Sequence, residues 1–140
     1  MMWKFWKKKE PELNPRYRST EEANQYAEDS FYTACVFLGI PVDQQTNEWV
    51  RIYSAYNDAS RYYHNMNHIH EMLVMFSELA LNKMEVEDYW VLVLAIIYHD
   101  FYNGVDAAEK KSAFEAVLFY YTKARKPTME NGELLREAIL

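Results

Sequence analysis

From residue 19 onward the apolar positions recur at intervals of three and four, the period of helices that bury one face. Ala23, Ala27, Phe31, Ala34, Cys35 and Leu38 form the first such stripe. Ser19 with Glu22 three residues later fits a capping box at its start, and Gly39 with Pro41 stops it. A second helix is expected from Thr46 or Asn47 to Asn57-Asp58, with Trp49, Val50, Ile52, Tyr53 and Tyr56 spaced for burial. A third starts near Asn65 and runs through Ile69, Met72, Leu73, Phe76 and Leu79 to about Asn82. The fourth, Val86 to Asp100, is apolar on all sides between Tyr89 and Tyr98, which predicts a helix buried in the middle of a bundle. Its β-branched stretch Val91 to Ile97 also suits a buried strand, but its length and its acidic start, Glu85 to Asp88, favour a helix. Asp106 with Glu109 fits a capping box for a fifth helix with Ala113, Phe114, Val117, Leu118 and Tyr121 inward, ended by Pro127. A sixth begins at Thr128 or Asn131, carries Leu134, Leu135, Ala138 and Ile139, and is still running at Leu140. The expectation is an all-α bundle of five to six helices, without internal repeats.

At 140 residues the chain has the size of one domain, placed at 19–140 and preceded by a tail and linker over 1–18. Half the residues are hydrophobic and only three are Gly, which excludes a disordered chain. Residues 1–9 mix Trp3, Phe5 and Trp6 with four lysines, a composition that reads as a loosely packed tail or as a contact for a membrane surface or an acidic partner. This stretch is too short to cross a bilayer, and Glu10 to Pro15, with two prolines, reads as a linker. A net charge of −6 argues against extensive nucleic-acid binding, which needs many clustered phosphate contacts. The single cysteine, Cys35, excludes an internal disulfide and fits a reducing, cytoplasmic setting; its place in the first stripe makes it a core residue.

The candidate chemistry lies in the four histidines. Three fall within Tyr63 to His70, and the fourth precedes Asp100 at the end of the apolar helix. His64 and His68 are four apart and share a face if helical, whereas His70 points elsewhere and is assigned to the surface or a polar contact. Imidazoles with a carboxylate are common ligands of divalent metals, and a carboxylate at the end of an apolar helix is costly to bury unless paired or bound to a cation. The His99-Asp100 pair is read equally well as a helix end in which His99 complements the dipole and Asp100 makes an ordinary turn.

Arg61 to His68 resembles the Tyr-His-Asn-x-x-His signature of cyclic-nucleotide phosphodiesterases, and its pairing with His99-Asp100 is similar to the HD superfamily of metal-dependent phosphohydrolases. Closer still, Arg-x-Tyr-His-Asn-x-x-His-Ile, the stretch Leu94 to Tyr102, Glu109 and Ser112-Ala113 resemble a family of uncharacterised bacterial HD hydrolases over about Trp49 to Leu140. The resemblance implies an HD-type helical bundle with His68, His99 and Asp100 as metal ligands and His64 as proton donor to the leaving oxygen. It also implies one or two divalent ions, Mn, Fe, Mg, Zn or Ni, and a small phosphorylated substrate, nucleotide-like, attacked by metal-activated water. Arg61 and Asn65 are candidates for orienting the ligands or contacting phosphate, with a salt bridge or cap as the plain alternative. Asp106 and Glu109 either close the site or simply cap a helix. The related enzymes complete the site with a later aspartate, yet no aspartate follows Asp106 here. The expectation is therefore a shortened bundle lacking its last helices, either a working hydrolase or an inactive module that binds a nucleotide or a protein, with a homodimer through an uncovered apolar face as a third reading.

Overall fold

The structure is a computed structural model that describes residues 18–140. The aromatic and lysine-rich segment and the proline linker lie outside the described residues. Six α-helices follow one another, α1 (Glu21–Phe37), α2 (Gln45–Tyr56), α3 (Met66–Ala80), α4 (Val86–Tyr98), α5 (Ala108–Lys123) and α6 (Met129–Ile139), with a 3-10 turn, Val42–Gln44, ahead of α2. There is no strand among the described residues, and none of their helices is long and apolar enough to cross a membrane.

The all-apolar α4 is the axis of the bundle. It packs against α1, α3, α5 and α6, and every residue from Val93 to Asp100 is buried. Only Trp90 and Leu92 reach partway to the surface within its apolar run, Trp90 stacked on the exposed Phe37 of α1. Burial on all sides explains why the sequence shows no polar face here. At the other end Glu87 accepts a hydrogen bond from Asn131 Nδ2 at 2.7 Å, tying the first turn of α4 to α6. Cys35 is buried on α1, and burial, reinforced by the charge of Glu48, pushes its thiol well above the usual range.

Three sequence expectations shift in the structure. Thr20, not Ser19, caps α1, its hydroxyl accepting from Ala23 N–H at 3.1 Å. The Ser19 hydroxyl instead accepts from Met66 N–H at 2.9 Å and so satisfies the first turn of α3 across 47 positions of chain. Asp106 does not cap α5: the residue before the helix is Ala107, in the left-handed region at φ 55°, with no side-chain cap. The inward face of α5 is also rotated from the predicted stripe. Ser112, Ala113, Ala116, Phe119 and Tyr120 are buried, while Phe114, Leu118 and Tyr121 are exposed. Apolar residues occur on both sides of this helix, and its small residues select the face that α4 and α6 can approach closely. Smaller departures are Val50 and Tyr53 of α2 and Leu79 of α3, all exposed.

The close approach of α5 and α6 is visible at Gly132, where a Cβ would stand 2.0 Å from the Tyr121 hydroxyl. Gly132→Ala should therefore cost about 1 kcal/mol net, overpacking against Tyr121 exceeding the helix-propensity gain. In a Tyr121→Ala background the same change should stabilise by up to about 1 kcal/mol, because only the propensity gain remains. Urea unfolding of the four proteins checks the reversal of sign.

Candidate metal centre

The N-terminal end of α3 meets the C-terminal end of α4, and four side chains converge there. His68 lies in the first turn of α3, His64 on the loop before it, and His99 and Asp100 directly follow α4. Asn65 starts α3 by accepting from Asn67 N–H at 3.0 Å, which makes it a helix cap, and its own Nδ2 donates to the Tyr62 carbonyl at 3.3 Å. His70, two positions beyond His68, packs its ring on Tyr26 at 4.7 Å and takes no part in the cluster.

Every imidazole of the cluster approaches the same carboxylate oxygen. From Asp100 Oδ2, His64 Nδ1 lies at 2.8 Å, His99 Nε2 at 3.3 Å and His68 Nε2 at 3.6 Å. His68, His99 and Asp100 are buried, and His64 keeps about a quarter of its side chain exposed. The 2.8 Å contact is a hydrogen bond in which His64 Nδ1–H donates. His99 uses Nδ1 to donate to the Ile96 carbonyl at 2.6 Å, a bond that fixes the ring with its Nε2 turned towards the carboxylate. Burial works against ionisation of Asp100, but the charge of His99 and hydrogen bonds from His64 and His99 outweigh it and hold the carboxyl far below its usual range. The positive end of the α3 dipole acts in the same direction.

The donor set fits a metal. His64, His68 and Asp100 each offer a ligand atom, all within 4.8 Å of one another, and form a cluster that can chelate one divalent ion. Two ligand atoms each about 2.1 Å from a shared ion stand about 3.0 to 3.4 Å apart at octahedral and tetrahedral angles. The separations of His99 and His68 from Oδ2 fall on either side of the upper limit of that range, whereas His64 sits at hydrogen-bond distance.

The turn that carries Asp100 is held by side chains in addition to the backbone bond from Phe101 N–H to the Tyr98 carbonyl at 2.9 Å. The Tyr56 hydroxyl donates to the Ile97 carbonyl at 2.5 Å and accepts from Asp100 N–H at 3.2 Å. Burial, reinforced by the negative Asp100, raises the Tyr56 phenol well above its ordinary range, so it remains a donor. Arg61 donates to the carbonyls of Asp100 and Phe101, each at 2.5 Å, and to that of His64 at 3.3 Å, with its guanidinium over the Tyr56 ring. From the other side Ser112 Oγ accepts from Tyr102 N–H at 2.9 Å, and Arg51, paired with Glu48 and Glu115, lies over the Phe101 ring. Glu48 is itself buried and accepts from the Tyr98 hydroxyl.

Of the residues singled out in the sequence, the structure brings His64, His68, His99 and Asp100 together and sets Arg61 and Asn65 beside them. Asp106 and Glu109 are exposed, in the loop before α5 and in its first turn. Sequence reasoning assigned Tyr56 to packing alone and missed its polar role. The signal was its hydroxyl: a tyrosine at a fully buried position needs a partner that a phenylalanine does not. No family model matches the chain, and neither a curated protein nor a solved structure matches it at a significant level.

Tyr56→Phe removes one donor and one acceptor from the Asp100 turn without changing its packing. It should lower stability by about 1 to 3 kcal/mol, because a buried carbonyl and a buried N–H lose their partner. Urea unfolding of the metal-free protein measures this.

Proposed function

We propose that this protein binds one divalent metal ion through His68, His99 and Asp100 and hydrolyses a phosphoester of a small, nucleotide-like molecule in the manner of HD phosphohydrolases. The observation that carries the reading is the convergence of three imidazoles on a single buried carboxylate oxygen at 2.8, 3.3 and 3.6 Å. The resemblance of Arg61 to His68 and of Leu94 to Tyr102 to that superfamily supports it. A divalent ion held by His68, His99 and Asp100 would supply Lewis acidity to a phosphoryl oxygen and would lower the pKa of water, with Mn, Fe, Mg, Zn and Ni all compatible with His and Asp ligands.

The chain's own residues divide the remaining work. Asp100 orients the His64 ring through Nδ1–H and leaves Nε2 to hand a proton to the leaving oxygen. The partial exposure of His64 gives a substrate access to that atom, while the burial of His68 and His99 keeps them as ligands. Arg61, occupied with three backbone carbonyls, positions the Asp100 turn rather than gripping phosphate.

A second reading, a non-catalytic module that binds a nucleotide or a protein, draws on one observation: among the described residues the metal-competent cluster contains a single carboxylate. The exposed Phe114 and Leu118 on α5 allow a second copy of the chain as the protein partner.

Metal content and turnover separate these readings. His68→Ala and His99→Ala should each abolish stoichiometric Mn2+ or Zn2+ by elemental analysis. His64→Gln should keep the metal and reduce hydrolysis of bis(p-nitrophenyl) phosphate by about 10²- to 10⁴-fold. Loss of metal in His64→Gln would make His64 a ligand instead, and metal binding without any turnover would favour the module.

A further inference from the structure

The Tyr56–Arg61 pair that grips the Asp100 turn also lines a separate cleft of about 820 Å³. This cleft lies between the start of α1, the end of α2 and the loop over 57–65, and none of His64, His68, His99 or Asp100 lines it. Tyr53 and Tyr62, residues 43% and 55% exposed, border it with aromatic side chains that lie outside the buried core. Asn24 and Asn57 form one wall, their amides paired by a 2.9 Å hydrogen bond from Asn57 Nδ2 to Asn24 Oδ1. Arg18 stands at the lip, its backbone fixed by a hydrogen bond from Asn67 Nδ2 to its carbonyl at 2.8 Å. Among the described residues, Arg18 and Arg61 line the cleft with one carboxylate, Asp58, which already accepts from the N–H and hydroxyl of Ser60.

We propose that this cleft is a second ligand site, taking a small planar aromatic acid, and that its occupant strengthens metal binding through the Tyr56–Arg61 pair. The ring of the ligand lies against Tyr53 and Tyr62, and its acid group meets Arg18. Tyr56 is fully buried beneath Arg61, so a ligand in the cleft restricts the Arg61 side chain that holds the Asp100 and Phe101 carbonyls. The ordering it supplies need not be supplied again when the metal binds, which makes the coupling positive and reciprocal. The coupling, though not the cleft, rests on the metal reading given above.

The test titrates the full, metal-free chain with benzoate, followed by amide NMR, with acetate and cyclohexanecarboxylate as controls for charge and flatness. Benzoate should shift the Asn24 and Asn57 side-chain amides and the backbone amides of Ser60 to Tyr62, and should bind more tightly than either control. Tyr62→Ala should weaken it about three- to ten-fold, the range of a lost aromatic pair. At saturating benzoate the Mn2+ affinity, measured by calorimetry, should rise about five-fold or more in the wild type and not in Tyr62→Ala. Benzoate binding no tighter than acetate, or indifferent to Tyr62→Ala, would overturn the site. Equal Mn2+ affinity with and without benzoate would overturn the coupling. Benzoate binding in a protein that takes up no Mn2+ would establish the cleft, and would remove the metal reading together with the coupling.

Discussion

A carboxylate stripped of water at the end of an apolar helix is the constraint around which this protein is organised. Left alone, the buried Asp100 would cost several kcal/mol or would simply be protonated. Three imidazoles, the first turn of α3 and a backbone held by Tyr56 and Arg61 keep it ionised instead. Each of these comes from a different part of the chain, so the charge is stable only when α2, α3, α4 and the 57–65 loop are all in place. Fold and site are in this sense one cooperative unit.

The same constraint explains why the bundle is built around α4. A helix apolar on all sides fixes its end deep in the molecule, and His99 and Asp100 arrive there with little freedom left. The polar groups near that end form a layered network. Tyr98 reaches Glu48, Glu48 and Glu115 hold Arg51, and Arg51 covers Phe101. Much of this network is part-buried, where hydrogen bonds to charged groups contribute more than they do at an open surface.

Much of this was legible in the sequence. Six helices and the burial of α4 follow from hydrophobic period and helix punctuation, and the meeting of His64, His68, His99 and Asp100 agrees with the pairing of the two histidine motifs. What was not legible depended on choices that periodicity leaves degenerate. Ser19 and Thr20 are adjacent hydroxyls, and only the entry angle of the chain decides which one caps α1 and which reaches α3. On α5, Phe114 with Leu118 and Phe119 with Tyr120 mark opposite faces of similar apolarity, and the small buried residues Ser112, Ala113 and Ala116 mark the one that packs. The role of Tyr56 depended on a contact 41 residues away, and a local pattern holds no record of such contacts.

The Ser19 hydroxyl on Met66 N–H has a consequence for where this domain can be cut. The helix that carries His68 is completed from outside itself, and Asn67 adds two more ties, donating to the Arg18 carbonyl and accepting from Thr20 N–H at 2.8 Å each. A fragment beginning after Thr20 would keep all six helices and every histidine, yet it would leave the head of α3 without its clasp. Any cut must therefore spare the short extended stretch at 18–20, a segment with no regular secondary structure that belongs to the site as much as the helices do.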